Sequence, residues 1–162
     1  MWVKKCNDHR GIKIQKIEEF DLEAIGTFVQ EYVDKPFLVS KRKFDIGVYV
    51  TLTSINPLRL YIYDKDALLR FCENDYYPFN SSNIHSYVVD DHYTPIWDIE
   101  DLKRYYVDAN MNMKEALNAY LRHKDLDPDK MWGQIEQSIK SVYIAKEQQM
   151  DRLTNMLRFD KK

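Results

Sequence analysis

Lys43-Phe44-Asp45-Ile46-Gly47-Val48-Tyr49-Val50-Thr51-Leu52-Thr53-Ser54, followed by Asn56-Pro57 and then Leu58-Arg59-Leu60-Tyr61-Ile62-Tyr63, is the stretch whose reading decides the fold. β-Branched and aromatic residues dominate both runs, and such residues suit a pleated, half-buried surface. Asn-Pro between them marks a turn, so the two runs read as a hairpin with a slightly long loop. Asp64-Lys65-Asp66 marks a second turn and Leu68-Leu69-Arg70-Phe71 a third antiparallel strand, which together predict a meander.

Upstream, Gly11-Ile12-Lys13-Ile14-Gln15-Lys16-Ile17 alternates apolar with polar and predicts a short strand with Ile12, Ile14 and Ile17 near a core surface. Thr27 to Val33 predicts another, ended or edged by Pro36. Downstream, Glu73 to Trp97 has no sustained period and reads as a long ordered loop, functional or edge-covering. The last third is helical: a short helix over Asp98 to Tyr106, another over Met113 to His123, and one long amphipathic helix. For that last helix Asp127 is the N-cap, Pro128 the first position, and Trp132, Ile135, Ile139, Val142, Tyr143 and Lys146 the recurring face. The expected class is α+β, an antiparallel sheet followed by helices.

Composition supports a globular chain. The 162 residues carry 44% hydrophobic and 14% aromatic side chains, enough for a core. Lys and Arg number 24 against 26 Asp and Glu, so the near-neutral charge of -2 argues against wholesale nucleic-acid binding. No apolar run reaches membrane-span length, and Met1-Trp2-Val3-Lys4-Lys5 lacks a signal-peptide apolar region, which makes the cytosol the expected compartment. Cys6 and Cys72 have neither metal-ligand spacing nor disulfide density and read as free thiols. His9, His85, His92 and His123 are scattered, without the spacing of a metal site.

Strand alternation puts Lys43 and Asp45 on one face and Phe44 on the other. A cation beside a carboxylate can hold phosphate and orient an acceptor; by composition alone the same pair is a surface ion pair.

The order of motifs decides between these. Trp2-Val3-Lys4-Lys5, Arg10-Gly11-Ile12, Val29-Gln30-Glu31-Tyr32-Val33, Lys35-Pro36-Phe37-Leu38-Val39, Lys43-Phe44-Asp45, Tyr49-Val50, Thr53-Ser54, Asn56-Pro57-Leu58-Arg59 and Leu69-Arg70-Phe71 follow one another. In order and spacing this series resembles the tubulin-tyrosine-ligase-like family, most densely from Trp2 to Phe71. The resemblance implies an ATP-grasp ligase, here residues 1–162 of a partial domain without the N-terminal subdomain and the C-terminal magnesium-binding segment.

For single positions it implies the following. Lys5, with Lys4 as register alternative, contacts the nucleotide phosphates. Gln30, Glu31, Tyr32 and Val33 form the segment that reads the adenine through backbone groups and one side chain. Lys43 is a second phosphate-contacting lysine, Asp45 a carboxylate beside the acceptor, and Arg70 an arginine facing the acidic peptide, for which its planar fork is suited. ATP and Mg2+ are the implied cofactors, with the family's metal ligands not present in this chain. The implied partners are tubulin C-terminal tails or microtubules and glutamate, with a cytoplasmic location at the cytoskeleton or cilium. The implied function is ATP-dependent glutamate addition through an acyl phosphate; the alternative is a non-catalytic relative that binds tubulin or microtubules. Two departures stand out. The family continues Lys-Phe-Asp-Leu-Arg where this chain has Ile46-Gly47, and Asp160 is not followed by a Glu-x-Asn pair.

Overall fold

The computed structural model describes the backbone of residues 2–6 and 12–159 and the side chains of residues 12–153. The chain divides into two compact units, residues 1–46 with 69–104, and residues 47–68 with 105–162.

In the first unit, β1 (Trp2–Cys6) is the centre of an antiparallel sheet, flanked by β2 (Lys13–Gln15) and β3 (Thr27–Glu31). Val3 stands opposite both Ile14 and Gln30, and Lys5 opposite Phe28. β2 is shorter than its alternation suggests because residues Ile17–Glu19 wind into a 3-10 turn, closed by the Phe20 N–H on the Ile17 carbonyl at 3.2 Å.

The run from Lys43 to Ser54 is not one strand. It divides into β4 (Phe44–Gly47) and β5 (Val50–Ile55), and among the described residues β4 pairs with β7 (Leu68–Phe71) and β5 with β6 (Leu58–Ile62). The expected meander is therefore corrected to a separate hairpin and a separate pair. The reason is burial: Leu69 and Phe71 are 1% and 0% exposed, and Phe71 stacks on Phe44 at 5.4 Å. Extending the hairpin instead would forgo that stacking. A β-carbon at Gly47 would lie 3.2 Å from that of Leu68, so the bare glycine permits the approach. The β5–β6 loop is also tighter than expected, since Ile55 pairs directly with Leu58 around Asn56-Pro57.

The loop from Glu73 to Trp97 is ordered around aromatic rings. Tyr76 and Tyr87, 0% and 1% exposed, meet edge to face at 5.1 Å, and Phe79 lies 4.5 Å from Tyr87. Such pairs add roughly 0.5–1.5 kcal/mol beyond the area they bury. The polar ends are satisfied: the Tyr76 hydroxyl donates to the Asp34 carbonyl at 3.0 Å, and the Tyr87 hydroxyl accepts from the Asn80 N–H. Arg42 ties the loop down, donating to the carbonyls of Cys72 and Glu73 and to the Thr94 hydroxyl. α1 (Glu100–Lys103) follows, shorter than the expected helix because Arg104–Asp108 continues as a π turn.

In the second unit, α2 (Met113–His123) opens with a capping box. Asn112 accepts from the Glu115 N–H while Glu115 accepts from the Asn112 N–H. Its buried face is Ala116, Leu117, Tyr120 and Leu121. α3 (Pro128–Phe159) starts as expected, with Asp127 accepting from the N–H groups of Asp129 and Lys130. Its half-buried stripe is Trp132, Ile135, Ile139 and Tyr143. Val142, 63% exposed, and Lys146 fall off that stripe, because neighbouring residues on a helix diverge by about 100°. Among the described residues no helix is long and apolar enough to cross a membrane.

Candidate functional site

Strand alternation assembles the site in the first unit. Gln30 and Tyr32, two residues apart, share one face, as do Ile12 and Ile14. With Lys43, Phe44, Asp45 and the loop residues Tyr87, Val88 and Val89 they line an open cavity of about 240 Å3. The apolar walls come from Ile12, Ile14, Val88 and Val89, and the charge from Lys43 and Asp45.

The Lys43 ammonium donates to the Tyr87 carbonyl at 2.8 Å and lies 4.8 Å from the centre of the Tyr32 ring. Burial pushes the Tyr32 phenol well above its ordinary range, so the ring is a neutral platform. Asp45 is held differently. Arg70 donates to its two oxygens from Nε at 3.0 Å and Nη2 at 2.7 Å, a bidentate pair that raises the guanidinium still further. The Arg70 guanidinium also lies 5.9 Å from the Tyr93 ring. Beneath the site the Cys72 thiol is free, and burial pushes it up to about 11 against the opposing charge of Lys43.

Of the residues singled out from sequence, Gln30, Tyr32, Lys43 and Asp45 share one cavity, and Arg70 joins them through Asp45. Glu31 and Val33 are exposed and do not line it, since alternation turns them to the opposite face. Lys5 is in β1, but its side chain and that of Lys4 lie outside the described residues, as do His9 and Asp160 and the side chain of Cys6. Sequence reading missed the Tyr87 carbonyl and Tyr93. A backbone acceptor leaves no mark in a sequence; the only signal was the length and aromatic content of the loop. Among the described residues no three His, Cys, Asp or Glu side chains converge to hold a metal.

A second cavity, of about 270 Å3, lies in the other unit between Leu60, Ile62, Trp132 and Ile135. Its lysine, Lys114, is committed to the Asp64 carbonyl at 2.7 Å and to the Trp132 ring at 4.6 Å. It reads as packing rather than chemistry.

Comparison with known proteins names the fold that holds this cavity. The profile of the Tubulin-tyrosine ligase family matches residues 1–160. The chain belongs to the tubulin-tyrosine ligase family. It is 45% identical over 150 residues to the probable tubulin polyglutamylase ttll-15 of Caenorhabditis elegans, covering 93% of this chain and 29% of that protein. It is 32% identical to mouse tubulin polyglutamylase TTLL13, over 84% of this chain and 17% of that protein. It is also 32% identical to mouse tubulin monoglutamylase TTLL4, over 96% of this chain and 13% of that protein. The chain thus spans less than a third of the length of each of these relatives, and within this ligase family its matched segment includes every residue of the cavity.

Proposed function

We propose that this chain carries part of the nucleotide and acceptor site of an ATP-dependent ligase that adds glutamate to tubulin tails. One observation carries the reading: the half-buried Lys43, the Asp45 carboxylate, Gln30 and Tyr32 border a single apolar-walled cavity. In the proposed reaction the purine lies against the apolar walls and the lysine charge of Lys43 faces the phosphates. Asp45 and Arg70 stand at the acceptor end, where a tail carboxylate takes the γ-phosphoryl group to become an acyl phosphate and the amine of glutamate displaces phosphate. Positioning and charge neutralisation drive such a transfer, with no covalent bond to the protein. The names of the relatives, two tubulin polyglutamylases and a monoglutamylase, support glutamate as donor and tubulin as acceptor, and with them a cytoplasmic, cytoskeletal location.

The test is Lys43→Ala in the intact gene product. Glutamate incorporation into tubulin is expected to vanish; unchanged incorporation removes Lys43 from the mechanism. A second reading, a tubulin-binding relative without ligase activity, is favoured by Gly47, which brings no charge to the position where the family carries a cation. Tail binding without incorporation in the wild-type protein selects it.

A further inference from the structure

Lys43 does not reach the cavity as a free tether. Its ammonium is bracketed by the Tyr87 carbonyl at 2.8 Å and the face of the Tyr32 ring at 4.8 Å. Tyr32 is 7% exposed and belongs to the core cluster with Ile14, Tyr76 and Tyr87. Tyr76 in turn packs edge to face on Tyr87, the residue that supplies the carbonyl. The ring and the carbonyl beside the ammonium thus belong to residues of one aromatic core. A lysine side chain has roughly 2 kcal/mol of rotamer entropy, which a fixed carbonyl and a fixed ring face can remove before the ligand arrives.

We infer that Tyr32 is a positioning residue whose ring, not its hydroxyl, orients the Lys43 ammonium toward a phosphate in the cavity. The hydroxyl points away from this task chemically: burial keeps it protonated, and a neutral phenol is no competitor for a cation. The ring face is the negative end of the aromatic quadrupole, and it attracts an ammonium without neutralising it. The assignment rests on the nucleotide reading above and gives Tyr32 a role on the phosphate side, beside its place in the adenine-reading segment.

The test is a double-mutant cycle on nucleotide affinity and on the KM for ATP, in the intact gene product, with Tyr32→Leu, Tyr32→Phe, Lys43→Met and Tyr32→Leu combined with Lys43→Met. Tyr32→Leu is expected to weaken ATP binding by roughly tenfold, the scale of a partly desolvated cation–π contact. Tyr32→Phe, which keeps the ring, is expected to recover most of that loss. In the Lys43→Met background Tyr32→Leu is expected to cost nothing further. Additive losses, or a Tyr32→Phe as weak as Tyr32→Leu, overturn the positioning role while leaving the nucleotide site standing. A Lys43→Met protein that binds ATP like the wild type overturns the nucleotide reading itself. Thermal unfolding of each variant separates a folding defect from either result, since a collapsed Tyr32→Leu core lowers the melting temperature and is additive with Lys43→Met.

Discussion

Asp45→Asn separates what the Asp45–Arg70 pair does for the fold from what it does for chemistry. The two side chains are 39% and 36% exposed, so the pair is solvent-screened despite contacts of 2.7 and 3.0 Å. Screened pairs contribute ~0.2–1 kcal/mol, and asparagine keeps one oxygen to accept from Arg70, which puts the expected loss near ~0.5 kcal/mol. That corresponds to a melting shift of about 1–2 °C at most. For scale, truncating a buried aromatic such as Tyr87 to alanine costs on the order of 3–5 kcal/mol. The effect on reaction should be larger than the effect on folding. Removing one charge aimed at developing negative or positive charge in a transition state lowers turnover by roughly 10²–10³. The assay is glutamate incorporation into tubulin by the intact gene product, read by mass spectrometry, beside a thermal melt of the same preparation. A melt lowered by more than about 5 °C, or incorporation within about threefold of wild type, refutes the division of labour argued here.

Two further outcomes follow from local geometry and burial. Ser40 and Lys41 both adopt positive φ, at 47° and 64°, in a two-residue turn closed by Val39 and Arg42. Ser40 is anchored to Asp101 through two hydrogen bonds of 3.0 Å, whereas the Lys41 side chain is exposed. Lys41→Gly is therefore expected to stabilise by up to about 1 kcal/mol and Lys41→Val to destabilise by about 1–2 kcal/mol in a denaturant titration; the opposite order contradicts the turn geometry. The Cys72 thiol, pushed up to about 11, keeps its proton in the folded chain at pH values where the unfolded chain, near 8.5–9, has lost it. Its contribution to stability is thus complete below that unfolded value and disappears as pH rises through about 11, with Tyr32 and Tyr76 raised in the same direction by burial. Native alkylation of Cys72, followed peptide by peptide, is expected to be negligible at pH 8 and to climb only toward pH 11; labelling at the rate of a free thiol at pH 8 contradicts the burial.

Much of the local structure could be read along the chain because it rests on short-range rules. Asp127 and Pro128 announced the start of α3 because capping needs only a side chain within three residues of the donors it satisfies. Gln30, Glu31, Tyr32, Val33, Lys43, Asp45 and Arg70 stand out by motif order, whereas the fold decides that Gln30, Tyr32, Lys43 and Asp45 line the cavity. Pairing obeys no such local rule. Leu68 to Phe71 suits a meander as well as it suits a partnership with β4, and only the stacking of Phe71 on Phe44 separates the two. The same holds for the bonds at the site: Arg70 reaches Asp45 across 25 residues once β4 has paired with β7, and Lys43 reaches the Tyr87 carbonyl across 44 once the loop that carries Tyr87 has packed. Residue types and local turns are thus written in the order of the amino acids, while the partner of each charge is chosen by which surfaces exclude water together.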